Sequence, residues 1–355
     1  MCASSRSRRA QRGRQRGVSL VEIMVGVIVA LLIGLAATGS AAVFTASQRQ
    51  GIGAGGMSVN ANTALAALKG EAATAGLGFF GDSKFLCYSL DLSVGTSVKS
   101  DAASFAPVRV TADGSNSKID MVYATSVDSG ANVLLNGAAG AASASLRSLL
   151  PVNVGQAMLI APATPGEPCV VRSITANAAG TVDTPQVVEY TNVSTARFNR
   201  AAFTTNPTYP DRGRVTLLGD LRWSRFHLVG TNLTLERPIT GESVVLARNV
   251  IGFRAEYGLA NAGSTSLAAW QPASGSFATL APTSLPRVRA LHIGLVTRGT
   301  QREKPDASGN CSATTTMPTL FGNTVTADVA DWQCYRYRSS IVVVPLRNLV
   351  LGMVP

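Results

Sequence analysis

From Ile23 to Phe44 the chain carries neither a charge nor a proline, only Ile, Val, Leu, Ala, Met, Gly, Phe and single Thr and Ser residues. Such a run is long enough to cross a bilayer as one helix, and without proline nothing interrupts its ladder of hydrogen bonds. Charge brackets it unevenly. Arg6, Arg8, Arg9, Arg12, Arg14 and Arg16 precede it, with Glu22 the only acid before it, and the next charge is Arg49. The excess of arginine places the N-terminus in the cytoplasm and everything after about residue 45 outside it. The net charge of +11 invites a nucleic-acid reading, but the six leader arginines supply six of it and leave +5 for residues 18–355.

Glu22 is the anomaly of the run. An acid beside a membrane segment is costly, so it is either solvated at the headgroup level or kept for a partner. A secretory signal would also read as basic then apolar, with a cut near residues 36–42, for example after Thr38-Gly39-Ser40-Ala41. The length of the run and the presence of Glu22 argue against that. The order Gly17-Val18-Ser19-Leu20-Val21-Glu22 followed by a charge-free span resembles the class III signal of type IV prepilins. The resemblance implies leader cleavage by a prepilin peptidase between Gly17 and Val18 and N-methylation of Val18. It also implies pairing of Glu22 with the new amino group of Val18 on a neighbouring subunit. Val18 departs from the phenylalanine usual at that position.

Beyond Phe44, Ala64, Leu65, Leu68, Ala72 and Ala75 recur at helical spacing, so the helix is expected to run on to residue 76. Gly51, Gly53 and Gly56 formally match GxGxxG. A dinucleotide loop requires a strand before that pattern and a helix after it, and here an apolar helix precedes it. Each glycine costs about 1 kcal/mol of helix propensity, so a bend or a melted turn is expected there. The stretch AGLGFFG, Ala75 to Gly81, reads as a glycine C-cap with an aromatic anchor. It is also similar to the AG-aromatic-G segment of large PilW-type minor pilins.

Past residue 82 the period changes to two. Strands are expected at Lys118–Ala124, Gln156–Ile160, Cys169–Ile174, Gln186–Tyr190, Arg214–Leu218, Val244–Tyr257, Arg287–Thr297 and Tyr335–Val344. Arg222–Val229 and Asn232–Glu236 flank Gly230-Thr231 as a hairpin. Val342, Val343 and Val344 read as a central strand, and Leu291, Ile293 and Leu295 as an inward face with Arg289 at its edge. Ala/Gly/Ser-rich stretches near 91–117, 128–150, 260–284 and 300–330 read as exposed loops. In order, NVIGFRAEYG (Asn249–Gly258), RVRALHIGLVTRG (Arg287–Gly299) and YRYRSSIVVVPLRN (Tyr335–Asn348) resemble the C-terminal segments of PilW proteins and J-type pseudopilins.

Cys2 lies in the leader, and Cys87, Cys169, Cys311 and Cys334 remain. Four cysteines in an exported domain suggest two disulfides with three possible connectivities. Short loops close most easily, which favours Cys311–Cys334 and leaves Cys87 with Cys169. No CxxC spacing points to a metal, and the residues offer no GxSxG, HExxH or P-loop. His227 and His292 fall in strands opposite the more apolar residues. Asp113–Asp120 has spaced oxygens but lacks the terminal bidentate glutamate of a calcium loop, so it reads as a turn. Arg222, Arg225, Arg336 and Arg338 read as scattered surface charge rather than a DNA-binding stripe.

The fold expected is α+β: a leader at 1–17, a helix over 18–76 with its transmembrane part at 23–44, and an antiparallel β-rich domain over 77–355 that is pilin-like by resemblance. No catalytic residue, cofactor or metal is expected. The resemblance implies a non-enzymatic minor pilin acting in initiation or at the tip of type IV pili. Its partners would be other minor pilins, the major pilin, the prepilin peptidase and the inner membrane; nucleic acid is not expected among them. The alternative within the same chemistry is a J-type minor pseudopilin of a type II secretion system. A membrane-anchored periplasmic enzyme or adhesin is the third class.

Overall fold

The computed structural model describes residues 17, 19–80, 87–126, 128–163, 167–181, 184–204 and 208–352. The chain divides into two units, residues 1–54 and 55–355. One helix, α1 (Leu20–Thr74), contributes to both. In the first unit, Leu20–Ala41 is apolar enough to cross a membrane, with a mean hydropathy of 2.7. Gly51 to Gly56 are helical throughout, so the melted turn expected there does not form. Glycine keeps its N–H, so the ladder survives, and a cost of about 1 kcal/mol per glycine is spread over a helix of 55 residues.

Among the described residues, the second unit holds the rest of α1 and twenty strands. In chain order the first are β1 (Ser89–Val94), β2 (Ser97–Ser104), β3 (Val108–Asp113), β4 (Asn116–Ala124), β5 (Asn132–Leu134), β6 (Ser143–Leu146) and β7 (Ala157–Ala161). There follow β8 (Cys169–Ser173), β9 (Ala176–Ala178), β10 (Gln186–Glu189), β11 (Arg214–Gly219), β12 (Leu221–Val229) and β13 (Asn232–Arg237). The last are β14 (Glu242–Ala247), β15 (Val250–Ala260), β16 (Leu267–Pro272), β17 (Val288–Arg298), β18 (Thr319–Leu320), β19 (Asn323–Thr324) and β20 (Tyr337–Pro345). A short helix, α2 (Arg347–Gly352), ends the described chain.

Three sheets carry the architecture. A five-stranded sheet runs β14-β13-β12-β4-β3, a four-stranded sheet runs β16-β15-β17-β20, and a six-stranded sheet runs β2-β1-β8-β7-β11-β5. Pairing is antiparallel except between β1 and β8. Ala61, Ala64, Leu65, Leu68, Ala72 and Ala75 of the helical stretch share one core with the inward residues of the five- and four-stranded sheets, among them Phe226, Phe253, Tyr257, Leu291, Ile293 and Leu295. A second core gathers Leu135, Leu146, Met158, Ile160, Val188, Tyr190, Val215 and Leu217 in the middle of the chain. Burying a leucine such as Leu68 contributes about 1.5–3 kcal/mol, so the residues at helical spacing are what bind this stretch of α1 to the sheets.

Three expectations change. The stretches read as loops hold β1, β2, β3, β5, β6, β16, β18 and β19. Strand β2 has no buried residue in its length; it is held by backbone pairing to β1, which leaves no alternating pattern in the sequence. The expected strand Val244–Tyr257 is two strands in two sheets, because Asn249 takes a left-handed backbone at φ 54° and ends the first. Val342–Val344 is not central. β20 is an edge strand, and Ile341 and Val343 are exposed while Val344 is buried, so its apolar run alternates like any half-covered strand.

Candidate functional site

Ser19 and Glu22 open the helix. The Ser19 carbonyl accepts hydrogen bonds from the Glu22 and Ile23 amides at 2.9 and 3.2 Å, and Glu22 lies exposed in the first turn. A carboxylate there complements the positive end of the helix dipole. Gly17 is exposed. Val18 and leader residues 1–16, Cys2 among them, lie outside the described residues. In the apolar run and just past it, hydroxyls donate back to the helix: Thr38 to Gly34 O at 2.9 Å, Ser40 to Ala36 O at 2.9 Å and Thr45 to Ala41 O at 2.7 Å. Such groups would enter hydrocarbon already satisfied.

Further along, polar contacts fix α1 to the sheets at three levels. Asn60 grips the backbone of Arg248, donating to its carbonyl at 2.6 Å and accepting from its amide at 3.3 Å. Glu71 lies in the apolar stripe itself. It accepts from the Tyr123 hydroxyl, from Ser224 Oγ at 2.8 Å and from Arg237 Nη2 at 3.3 Å. These partners come from β4, β12 and β13, neighbours in the five-stranded sheet. Burial raises the pKa of Tyr123, and the adjacent carboxylate raises it further, so the tyrosine stays a donor. At the end of α1, Asn348 donates toward the carbonyls of Ala73, Thr74 and Ala75 at 3.4, 3.1 and 3.0 Å. Those are the groups a helix terminus leaves unpaired. The chain leaves the helix through Gly76 at φ 82°, where a Cβ would meet Phe80 Cε2 at 2.7 Å and Pro107 Cβ at 3.2 Å. Phe79 is buried beside Phe105, with ring centroids 5.1 Å apart. Ala75–Phe80 thus holds both the cap and the aromatic anchor.

A family model described as "Type IV Pilus-assembly protein W", PilW, matches residues 227–348. The C-terminal third of this chain is PilW-like. The match covers 122 of the 355 residues and leaves the apolar helix outside it. Among solved structures the chain is similar to the type IV-like pilin TTHA1219 from Thermus thermophilus, at 12% identity over 56% of this chain and 85% of that one, with a TM-score of 0.23. No curated protein matches.

The PilW-like region supplies Arg237, the Arg248 backbone and Asn348, so each of the three contact levels on α1 includes a group from it. It also contains Cys311 and Cys334, with Cα atoms 4.8 Å apart; Cys87 and Cys169 stand 5.5 Å apart. Both separations suit disulfides. His227 and His292 each face a cross-strand acid, Glu236 at 3.8 Å and Glu256 at 3.7 Å. His292 is flanked by Trp270 and Phe321, at 4.6 and 4.3 Å between centroids. Burial raises the pKa of Glu256 and His292 partly offsets it. Two of the four arginines read from the sequence meet acids: Arg225 with Asp120 at 2.8 Å, and Arg336 with Glu303. Asp113 ends β3 and Asp120 lies within β4, across the turn at Gly114-Ser115, so the run 113–120 forms a hairpin.

Glu71 and Asn348 were not singled out by sequence. The first had a signal, an acid three residues after Leu68 and one before Ala72 on the apolar stripe. The second closes the segment Tyr335–Asn348 noted for its resemblance, but no local pattern points to its partners, more than 270 residues away.

Proposed function

We propose that this chain is a non-enzymatic minor pilin that takes part in initiating or capping type IV pili by helix packing. The observation that carries the reading is a membrane-length apolar helix with one carboxylate in its first turn, continuous with a stretch held by sheets whose C-terminal strands match PilW. In this reading the leader, residues 1–17, is removed by the prepilin peptidase, and the amine of Val18 is methylated and meets Glu22 of a neighbouring subunit. The helix from Val18 waits in the inner membrane with residues 77–355 in the periplasm, and is then drawn into a bundle with the major pilin and other minor pilins. The two cysteine pairs are closed as disulfides by the oxidising compartment.

Mass spectrometry of the native chain purified from membranes tests this. The expected N-terminus is Val18 carrying one methyl group, with Cys87–Cys169 and Cys311–Cys334 peptides linked before reduction. A mature chain starting near Ala42 would discard the helix and overturn the proposal.

A further inference from the structure

A cavity of about 340 Å³ opens between the β1–β2 hairpin and the outward face of β3, β4 and β12. Its volume falls within the range of small-molecule sites. Its walls are divided by chemistry. Leu90, Leu92, Phe105 and Val122 supply an apolar side, and Trp223 lines it as well. Lys99, Arg109, Lys118 and Arg225 also line it, with Asp120 the one acid among the lining residues.

That acid is already engaged. Asp120 Oδ1 accepts from Trp223 Nε1 at 2.7 Å and from Arg225 Nε at 2.8 Å. The pair neutralises Arg225, which also has Glu236 at 3.6 Å, and it holds the indole by its N–H. Three cations remain. Among the described residues, none of Lys99, Arg109 and Lys118 has a carboxylate within ion-pair distance. Arg109 donates from Nη1 to the Ser104 carbonyl at 3.3 Å, but its Nε, and Thr111 Oγ1 two residues on, are buried with no hydrogen-bond partner. Buried polar atoms are normally paired, and an orphan calls for an explanation. Here two orphans line the same cavity as two further cations.

The register explains how the sequence assembles this. Arg109 stands opposite Asp120 and Thr111 opposite Lys118 on the β3–β4 pair, while Arg225 stands opposite Asp120 on the β4–β12 pair. Their alternate neighbours Val110, Ile119, Met121 and Phe226 point to the core. One face of the sheet therefore packs and the other gathers charge beneath the hairpin.

We infer that this cavity binds a small organic anion, a carboxylate or phosphate ester on an apolar or ring-shaped body, with Lys99, Arg109 and Lys118 meeting the charge and Trp223 with Phe105 meeting the body. The inference does not rest on the assembly role, since none of these residues belongs to the helix.

The test is titration of the full mature chain in detergent with phenyl phosphate and, separately, inorganic phosphate, followed by calorimetry. Phenyl phosphate is expected to saturate with a dissociation constant on the order of 0.1–1 mM, more tightly than inorganic phosphate. Lys99→Gln and Lys118→Gln each weaken it roughly tenfold, as expected for loss of a charged contact. Arg222→Gln, an exposed cation outside the cavity, leaves binding unchanged. Both lysine positions are on or near the surface, so these variants fold, and their circular dichroism matches the parent. Absence of saturation by both ligands overturns the site. Equal weakening by Arg222→Gln reduces it to general surface charge and also overturns it, and equal affinity for the two phosphates overturns the organic body.

Discussion

An acid within the apolar stripe of a packed helix costs stability unless its charge is met, and Glu71 is met by a hydroxyl, a second hydroxyl and a guanidinium. Glu71 and Arg237 are only 14% and 24% exposed at their side chains, so the pair is poorly screened and removing one partner strands the other. Glu71→Ala is expected to lower unfolding stability by about 2–4 kcal/mol, and Glu71→Gln, which keeps shape and some hydrogen bonding, by about 1–2 kcal/mol. Urea unfolding of the detergent-solubilised chain reads both. An unchanged midpoint in the alanine variant would mean that the network holds nothing. Asn348 follows the same logic by other means: one side-chain amide serves the last carbonyls of α1, which no later turn can reach.

Periodicity decided which elements were legible. The stripe from Ala64 to Ala75 repeats at helical spacing, and β4, β7, β8, β12, β13 and β17 bury enough apolar residues to show their extent. Strands such as β2 and β16, exposed along nearly their whole length, owe their form to a neighbour's backbone, and no local pattern encodes that. Gly294 shows the same limit inside a strong strand. A Cβ there would meet Leu320 Cδ2 at 2.8 Å and Phe321 Cζ at 3.1 Å, so the glycine answers to a distant segment. Gly17 and Glu22 stand out in the sequence because their chemistry is unusual there, whereas Arg109 and Lys118, brought to one face by strand register, give no such signal. Among the middle strands, the second core carries its own pH dependence. Burial pushes the Tyr190 phenol up to about 12 from an ordinary 10.0, and its hydroxyl donates to Gly140 O at 2.6 Å and Ser143 O at 3.0 Å. Tyr209 in the same core is raised as well, by burial first. A raised folded pKa favours the protonated folded state, so this stability is whole below pH 10 and is lost as pH climbs through 12. For Tyr190 the loss amounts to about 3 kcal/mol. Urea unfolding between pH 8 and 12 should show this fall, and Tyr190→Phe should make it shallower; an identical slope in the variant would assign the fall elsewhere.

For the molecule as a whole, one helix carries two environments. Its later part has polar handholds at Asn60 and Glu71 and an apolar stripe facing sheets. Its first part, Leu20–Ala41, exposes apolar side chains on all sides, which water tolerates poorly and a membrane or a bundle of like helices accepts. In either apolar setting the lone carboxylate of Glu22 is the costly group, and in a bundle its charge requires a partner. If that partner is the Val18 amine of a neighbour, charge matters more than shape. Glu22→Gln, which keeps the shape, should then fail to enter filaments as fully as Glu22→Ala, while leader removal after Gly17, which on the proposed reading precedes packing, should proceed in both. Immunoblots of sheared filaments against the membrane fraction, with the mature N-terminus read in parallel, separate the two steps. A Glu22→Gln chain recovered in filaments at the parental level would show that the bundle needs only a polar group of that size, and the ion pair would be withdrawn.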